Sequence, residues 1–128
     1  MPWKILIADD EPALARILQT VLRSKGFEVF VARDGQEALD LTASEHPDLV
    51  LLDISMPKVS GYEVCQELKK NEATKAVSVF MLTAHAQKND LVKGFALGAD
   101  DYITKPFNCF ELVEKITEFL KNKNGLKS

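Results

Sequence analysis

The chain has 128 residues, of which 46% are hydrophobic and 27% are charged, and its formal net charge at pH 7 is −3. This length and composition predict a single globular domain with one hydrophobic core. The charge argues against a dedicated nucleic-acid-binding protein, because neutralising phosphates requires a concentrated surface of Lys and Arg.

Five short runs rich in apolar residues predict β-strands at residues 4–8, 27–32, 49–52, 77–82 and 101–104. Most of these runs contain β-branched or aromatic residues, which favour strands. The first, third and fourth runs are apolar nearly throughout. Continuous apolar runs are expected where helices cover both faces of a sheet.

Between the strands, apolar residues recur every three or four positions and predict five helices. Gly26 and Gly98 are expected to end the first and fourth of them. Ser60-Gly61 predicts a turn before the third helix, with a positive φ at the glycine. The apolar helical positions lie within residues 14–22, 38–42, 64–68, 91–96 and 110–120.

The regular alternation of strands and helices predicts a doubly wound α/β domain. Its strands should be parallel and joined by right-handed crossovers, with helices on both faces of the sheet. We expect this domain to span residues 1–122, and residues 123–128 to form a flexible polar tail.

The two cysteines and the apolar runs predict a cytoplasmic protein. Cys65 and Cys109 form no C-x-x-C pair and have no histidine nearby, so neither a zinc site nor a disulfide framework is expected. Reduced thiols are the usual state in the cytoplasm. No signal peptide is evident, and the longest apolar runs are too short to cross a membrane.

Carboxylates follow two of the predicted strands at the point where each strand ends. Asp9 and Asp10 follow the first strand, and Asp53 follows the third. Ligands of open parallel sheets bind outside these carboxyl ends, and the first and third strands are expected to be neighbours. Three converging carboxylates repel one another by about 1–4 kcal/mol per pair. A bound cation would relieve this repulsion, and ligands that are all oxygen favour Mg²⁺ over zinc.

Two more polar residues follow the fourth and fifth strands at the same edge. Lys105 brings a cation there and Thr83 brings a hydroxyl group. An anion site beside a metal suits the transfer of a phosphoryl group. Asp53 is the central candidate for the nucleophile and would form an acyl phosphate. We also predict a cis Lys105–Pro106 bond, in a tight turn that aims the lysine.

Simpler interpretations of the same residues exist. Asp9 and Asp10 are also suited to the N-cap of the following helix, where carboxylates are favoured. Thr83 can equally cap the segment that follows it. Tyr102, in the fifth strand, is typical of an aromatic residue packed at the rim of a core.

The sequence resembles the receiver domain of bacterial two-component response regulators, in the CheY-like superfamily, over about residues 3–121. No single motif is specific, but all of them occur in order at the predicted strand ends. They are Ile7-Ala8-Asp9-Asp10-Glu11, Leu51-Leu52-Asp53-Ile54-Ser55-Met56-Pro57, Ser60-Gly61, Leu82-Thr83-Ala84 and Gly98-Ala99-Asp100-Asp101-Tyr102-Ile103-Thr104-Lys105-Pro106-Phe107.

The resemblance implies a flavodoxin-like sheet in the order 2-1-3-4-5 and a phosphoacceptor role for Asp53. It also implies that Asp9, Asp10, Asp53 and the backbone carbonyl of Ser55 hold Mg²⁺. Lys105 would pair with the phosphoryl oxygens.

A switch is implied as well. Thr83 would move to bond the phosphoryl group, and Tyr102 would turn from exposed to buried. The output would be the surface around the fourth helix, fifth strand and fifth helix. The family varies at the positions of Ser55 and His85, and these positions influence the lifetime of the phosphoryl group.

The implied partners are a sensor histidine kinase or phosphotransfer protein, and a downstream effector protein or domain. No direct nucleic-acid binding and no membrane association are expected of this domain. A dimer through the output surface would pair Glu111 with Lys115. Many relatives that dimerise in this way carry an acid where this chain has Ala96.

Three other functions compete with this one. A phosphorylation-independent interaction module of the same fold is the main alternative. A phosphatase of the haloacid-dehalogenase type would need a second acid where Ser55 stands. A nucleotide-binding flavodoxin-like protein would need a glycine-rich loop after the first strand. We therefore expect no enzyme beyond Mg²⁺-dependent self-phosphorylation and slow self-dephosphorylation.

Overall fold

Five parallel strands form one sheet in the order β2-β1-β3-β4-β5, as the family resemblance implied. The computed structural model of the chain describes residues 3–54, 56, 59–83, 92–93 and 95–125. Each strand lies within one or two residues of its predicted position. The strands are β1 Lys4–Ala8, β2 Glu28–Ala32, β3 Leu49–Asp53, β4 Ser78–Thr83 and β5 Asp101–Thr104.

Four complete helices connect or follow the strands within the described residues. They are α1 Pro12–Ser24, α2 Gly35–Glu45, α3 Gly61–Lys70 and the C-terminal helix Cys109–Gly125. Residues 92, 93, 95 and 96 are helical too, in the region of the predicted fourth helix. The C-terminal helix continues three residues into the predicted tail. No helix in the described ranges is long and apolar enough to span a membrane.

The sheet separates two hydrophobic clusters, one on each face. Alternate residues of β3 enter different clusters: Leu49 and Leu51 pack with α1 and the C-terminal helix, whereas Val50 and Leu52 pack with α2 and α3. Every residue of β3 and β4 is buried. The nearly continuous apolar runs in the sequence result from this burial on both faces.

Both cysteines are free thiols, as predicted. Cys65 is buried within the cluster between the sheet and α3, and burial raises the pKa of its thiol to about 11. Cys109 is partly buried at the start of the C-terminal helix.

The prediction for Gly61 was wrong. Gly26 and Gly98 have positive φ, as expected at helix ends, but Gly61 does not and is instead the first residue of α3. Ser60 and Glu63 form a capping box around it. A Cβ atom on Gly61 would lie 2.6 Å from the carbonyl oxygen of Asp53 and 2.7 Å from Cα of Ile54. Glycine is needed here because α3 begins against the end of β3.

We predict that Gly61→Ala destabilises the domain by about 1–3 kcal/mol, because the new methyl group meets backbone that cannot move freely. Urea denaturation would measure this change. If space were available, alanine would instead stabilise the helix by up to about 1 kcal/mol.

Gly26→Ala is the matched control. Gly26 has a φ of 93°, and a Cβ atom on it would have no neighbour within 4 Å, so alanine there strains only its own backbone. Gly61→Ala should shift the NMR amide signals of Asp53 and Ile54, and Gly26→Ala should leave them in place.

Candidate functional site

The predicted carboxylates converge at the carboxyl edge of the sheet. β1 and β3 are neighbours with Ala8 opposite Leu52, so the next residues of the two strands, Asp9 and Asp53, lie side by side. Asp9, Asp10 and Asp53 each offer an oxygen, and these oxygens lie within 4.8 Å of one another. Asp9 and Asp53 are buried, with exposures of 1% and 3%, and Asp10 is exposed.

Backbone hydrogen bonds continue past the strands and fix this edge. The Asp9 amide donates to the carbonyl of Ala32 at 3.1 Å. The Lys105 amide donates to the carbonyl of Thr83 at 2.7 Å, so β4 and β5 stay paired up to the lysine. The side chains at this edge are therefore placed by rigid elements of the fold.

Lys105 is the cation of the site, as predicted. Its Nζ lies 2.8 Å from Glu11 Oε1, 3.2 Å from Asp53 Oδ2 and 3.3 Å from Asp9 Oδ2. The Lys105–Pro106 bond is cis, as predicted. Three carboxylates thus contact one ammonium group, and Asp10 lies in the same acidic cluster as Asp9 and Asp53.

Burial and charge shift the pKa of two groups in the site. Burial is the main cause that raises the pKa of Asp9 to about 6, and the nearby charge of Asp53 adds to it. The Glu11 amide, which donates to Asp9 Oδ1 at 2.9 Å, opposes this rise. Burial alone would lower the pKa of Lys105, but its hydrogen bond with Glu11 and the charges of Asp9 and Asp53 outweigh burial and raise it.

The arrangement suits a hard divalent cation. Its donor atoms are all carboxylate oxygens, negative charge exceeds positive charge, and exposed Asp10 gives access from solvent. Oxygen donors of this kind are those that Mg²⁺ or Ca²⁺ prefers. The N-cap interpretation of Asp9 and Asp10 is wrong, because the N-cap residue of α1 is Glu11.

Thr83 and Tyr102 lie next to this edge. Thr83 is the last residue of β4, is buried and pairs in register with Thr104. Tyr102 is buried too, and its ring packs edge-on against Phe95 with centroids 5.3 Å apart. The structure therefore shows the packing role of Tyr102, and its role in a switch stays a prediction. Ser55 and His85 lie outside the described residues.

Glu11 is the residue of the site whose role the sequence did not reveal. It comes directly after the two predicted carboxylates, but its position at the start of a helix indicated no function. Its contact with Lys105 is the shortest of the three that the lysine makes. The only signal in the sequence was its place in an unbroken run of three acids.

Comparison with known proteins supports the resemblance. The sequence model of the response regulator receiver domain matches residues 5–117. The "Probable transcriptional regulator ycf27" of Porphyridium aerugineum is 49% identical over 125 residues, which cover 98% of this chain and 51% of the relative. The "DNA-binding dual master transcriptional regulator RpaA" of a Synechocystis species is 42% identical over 123 residues, covering 96% and 51%. The chain spans about half the length of these curated relatives.

Solved structures show the same fold. A response regulator receiver domain protein (CheY-like) from Methanospirillum hungatei superimposes with a TM-score of 0.91 at 32% identity, covering 98% of each chain. The chemotaxis protein CheY4 of Vibrio cholerae has a TM-score of 0.88 at 28% identity, covering 92% of this chain and 98% of that one.

We predict that Asp9→Asn stabilises the metal-free protein. The pKa of Asp9 is raised from 3.8 to about 6 in the folded state. The folded protein therefore binds this proton more tightly than the unfolded chain does, and the free energy of unfolding falls as pH rises through this range. Asparagine is neutral at every pH. The gain should reach about 1–3 kcal/mol above pH 6 or so and vanish below about pH 4.

Urea denaturation in EDTA across this pH range would measure the gain. Asp10→Asn is the matched control, since it removes the same charge from the adjacent but exposed position. A gain as large in the control, or a loss of stability in Asp9→Asn at neutral pH, would contradict the prediction.

Proposed function

The chain belongs to the family of response regulator receiver domains, and we propose that in it Asp53 accepts a phosphoryl group and the domain signals this change through its surface. The observation that carries the proposal is the buried Asp53 carboxylate in contact with Lys105, beside Asp9 and Asp10. The proposed nucleophile, a cation and the candidate metal ligands thus lie together at one edge of the sheet.

The proposed cofactor is Mg²⁺, and its ligands would be Asp9, Asp10, Asp53 and the backbone carbonyl of Ser55. When bound, Mg²⁺ would offset the negative charge of the carboxylates and of the incoming phosphoryl oxygens. The fit rests on the three converging carboxylates and on the negative charge that Lys105 leaves unbalanced.

The proposed reaction is a single group transfer. One carboxylate oxygen of Asp53 forms a bond to phosphorus while the bond from phosphorus to the donor breaks, and the leaving group keeps the electron pair. The product is an acyl phosphate. Lys105 is already within 3.2 Å of Asp53 and would stabilise the negative charge on the phosphoryl oxygens. Slow hydrolysis by water would restore the free carboxylate.

The proposed signal is a shift between two surface conformations. The Thr83 hydroxyl would bond the phosphoryl group, and Tyr102 would respond to the change beside it. Val92 and Phe95, which are 60% and 48% exposed, belong to the surface that would change. Moving the population from mostly inactive to mostly active needs a differential interaction of about 5 kcal/mol.

The proposed partners are a sensor histidine kinase or phosphotransfer protein as donor, and an effector protein or domain as the recipient of the signal. This assignment places the domain in the cytoplasm and leaves nucleic-acid binding to other segments or proteins. It is supported by relatives that are named as transcriptional regulators and are about twice as long.

A dimer through residues 92–96, β5 and the C-terminal helix is the proposed assembly. Lys115 Nζ lies 3.1 Å from Asp101 Oδ2 of its own chain. A pair between Lys115 and Glu111 across a dimer would have to compete with this contact.

We predict a single Mg²⁺-dependent phosphoryl adduct on Asp53. Intact-mass spectrometry after incubation with acetyl phosphate would detect it, with and without Mg²⁺. The adduct should be absent from Asp53→Ala, because this substitution removes the proposed nucleophile. Asp40→Asn is the control, since Asp40 lies on α2 and takes no part in the site.

An adduct that persists in Asp53→Ala would move the phosphoacceptor to another residue. No adduct on the folded wild-type protein under any condition would favour the phosphorylation-independent interaction module.

We further predict that Thr83→Ala accepts the phosphoryl group but loses the response of the surface. The variant keeps Asp53 and Lys105 and lacks the hydroxyl that would follow the phosphoryl group, together with the γ-methyl group of threonine. NMR spectra with acetyl phosphate should show shifts at Phe95 and Tyr102 in the wild type and much smaller shifts in the variant. Equal shifts in both proteins would contradict the role of Thr83.

A further inference from the structure

Lys105 divides its ammonium group among three carboxylates. An ammonium group has three N–H donors. In this structure Glu11 is the nearest acceptor, at 2.8 Å, and Asp53 and Asp9 follow at 3.2 and 3.3 Å. Any new acceptor that Lys105 takes up must therefore displace one of these three.

The side chain of Glu11 is directed to Lys105 and away from its own helix. Glu11 is the N-cap residue of α1, where a carboxylate commonly accepts an N–H of the first turn. Its side chain makes no such cap bond. The contact with Lys105, 94 residues away in sequence, takes its place.

The three carboxylates differ in how much it would cost each of them to lose its contact with Lys105. The side chains of Asp9 and Asp53 are 0% and 4% exposed, so each would be left as a buried charge with less compensation. The Glu11 side chain is 61% exposed and can return to water at little cost. Glu11 is therefore the partner that Lys105 gives up most readily.

We propose that Glu11 is a positioning residue that holds Lys105 before phosphorylation and is then replaced by a phosphoryl oxygen. This inference rests on the proposed function and deepens it. Glu11 makes and breaks no covalent bond in this role. It competes with the phosphoryl group for one N–H of Lys105, so its contact sets how readily the lysine engages the phosphorylated site.

The proposal predicts that Glu11→Gln raises the amount of phosphorylated protein at steady state. A partly exposed ion pair is weak, so the expected gain is about two- to five-fold. Glutamine keeps the size of the side chain and removes the charge that holds the ammonium group.

The test is intact-mass spectrometry of wild type and variants with acetyl phosphate. Mg²⁺ is present at a saturating concentration for each variant, at which more Mg²⁺ no longer raises the unfolding midpoint. Glu63→Gln is the charge-matched control: Glu63 lies in the first turn of α3, and glutamine can still form its capping box. The control should stay within the error of wild type. A gain in Glu63→Gln as large as in Glu11→Gln would show a general effect of charge and overturn the proposal.

A Lys105→Met background tests whether Glu11 acts through the lysine. Glu11→Gln should have no effect there, because the contact that it removes is already absent. A gain that persists in this background would overturn the proposal, as would unchanged or reduced phosphorylation in the single variant. An adduct on wild type with no effect of Glu11→Gln would leave the proposed function standing and remove this inference alone. Absence of the adduct from wild type would overturn both.

Discussion

The excess of negative charge around Lys105 is the constraint on which the site depends. Asp9 and Asp53 are almost wholly buried, and a buried carboxylate is stable in its charged form only with a compensating partner. Lys105 supplies that partner to both of them, and to Glu11 as well. One ammonium group cannot neutralise so many acids. Burial is the main cause of the raised pKa of Asp9, and the nearby charge of Asp53 adds to it. A bound cation would relieve the excess of negative charge.

The fold holds these like charges together through its two-sided core. The central strands bury their side chains on both faces, so they cannot move apart to relieve the repulsion. Hydrogen bonds between the backbones continue to the last residue of the edge, where the amide of Lys105 bonds to Thr83. Gly61 lets α3 begin against the backbone of Asp53 and Ile54 at the end of β3. The stability of the core thus compensates for an unfavourable site.

Periodicity and the ends of strands were the features of the sequence with the most predictive value. Strand positions and the convergence of Asp9, Asp53 and Lys105 were confirmed, because burial on both faces leaves a clear apolar pattern and the polar residues follow it directly. The order of the strands was confirmed too, but it came from the family resemblance and not from periodicity. The prediction for Gly61 failed because the sequence does not distinguish a glycine that is needed for close contact with a neighbouring backbone from one that is needed for a positive φ in a turn. Glu11 was missed because its partner is 94 residues away and its orientation depends on side-chain packing. Neither contact is specified by the residues next to it in the sequence.

Thr83, at the proposed phosphorylation site, lies on the strand next to the one that carries Tyr102. This proximity explains how a small domain could carry a signal from the site to its surface. Thr83 shares its face of the sheet with Met81, and Tyr102 enters the same hydrophobic cluster from the adjacent strand. A single strand-to-strand step therefore separates the residue proposed to meet the phosphoryl group from the ring that packs on Phe95. In the proposed switch, a shift of the Thr83 side chain would change the space beside Tyr102 while the sheet stays unchanged. The proposed switch accordingly needs only side-chain rearrangements on a rigid scaffold.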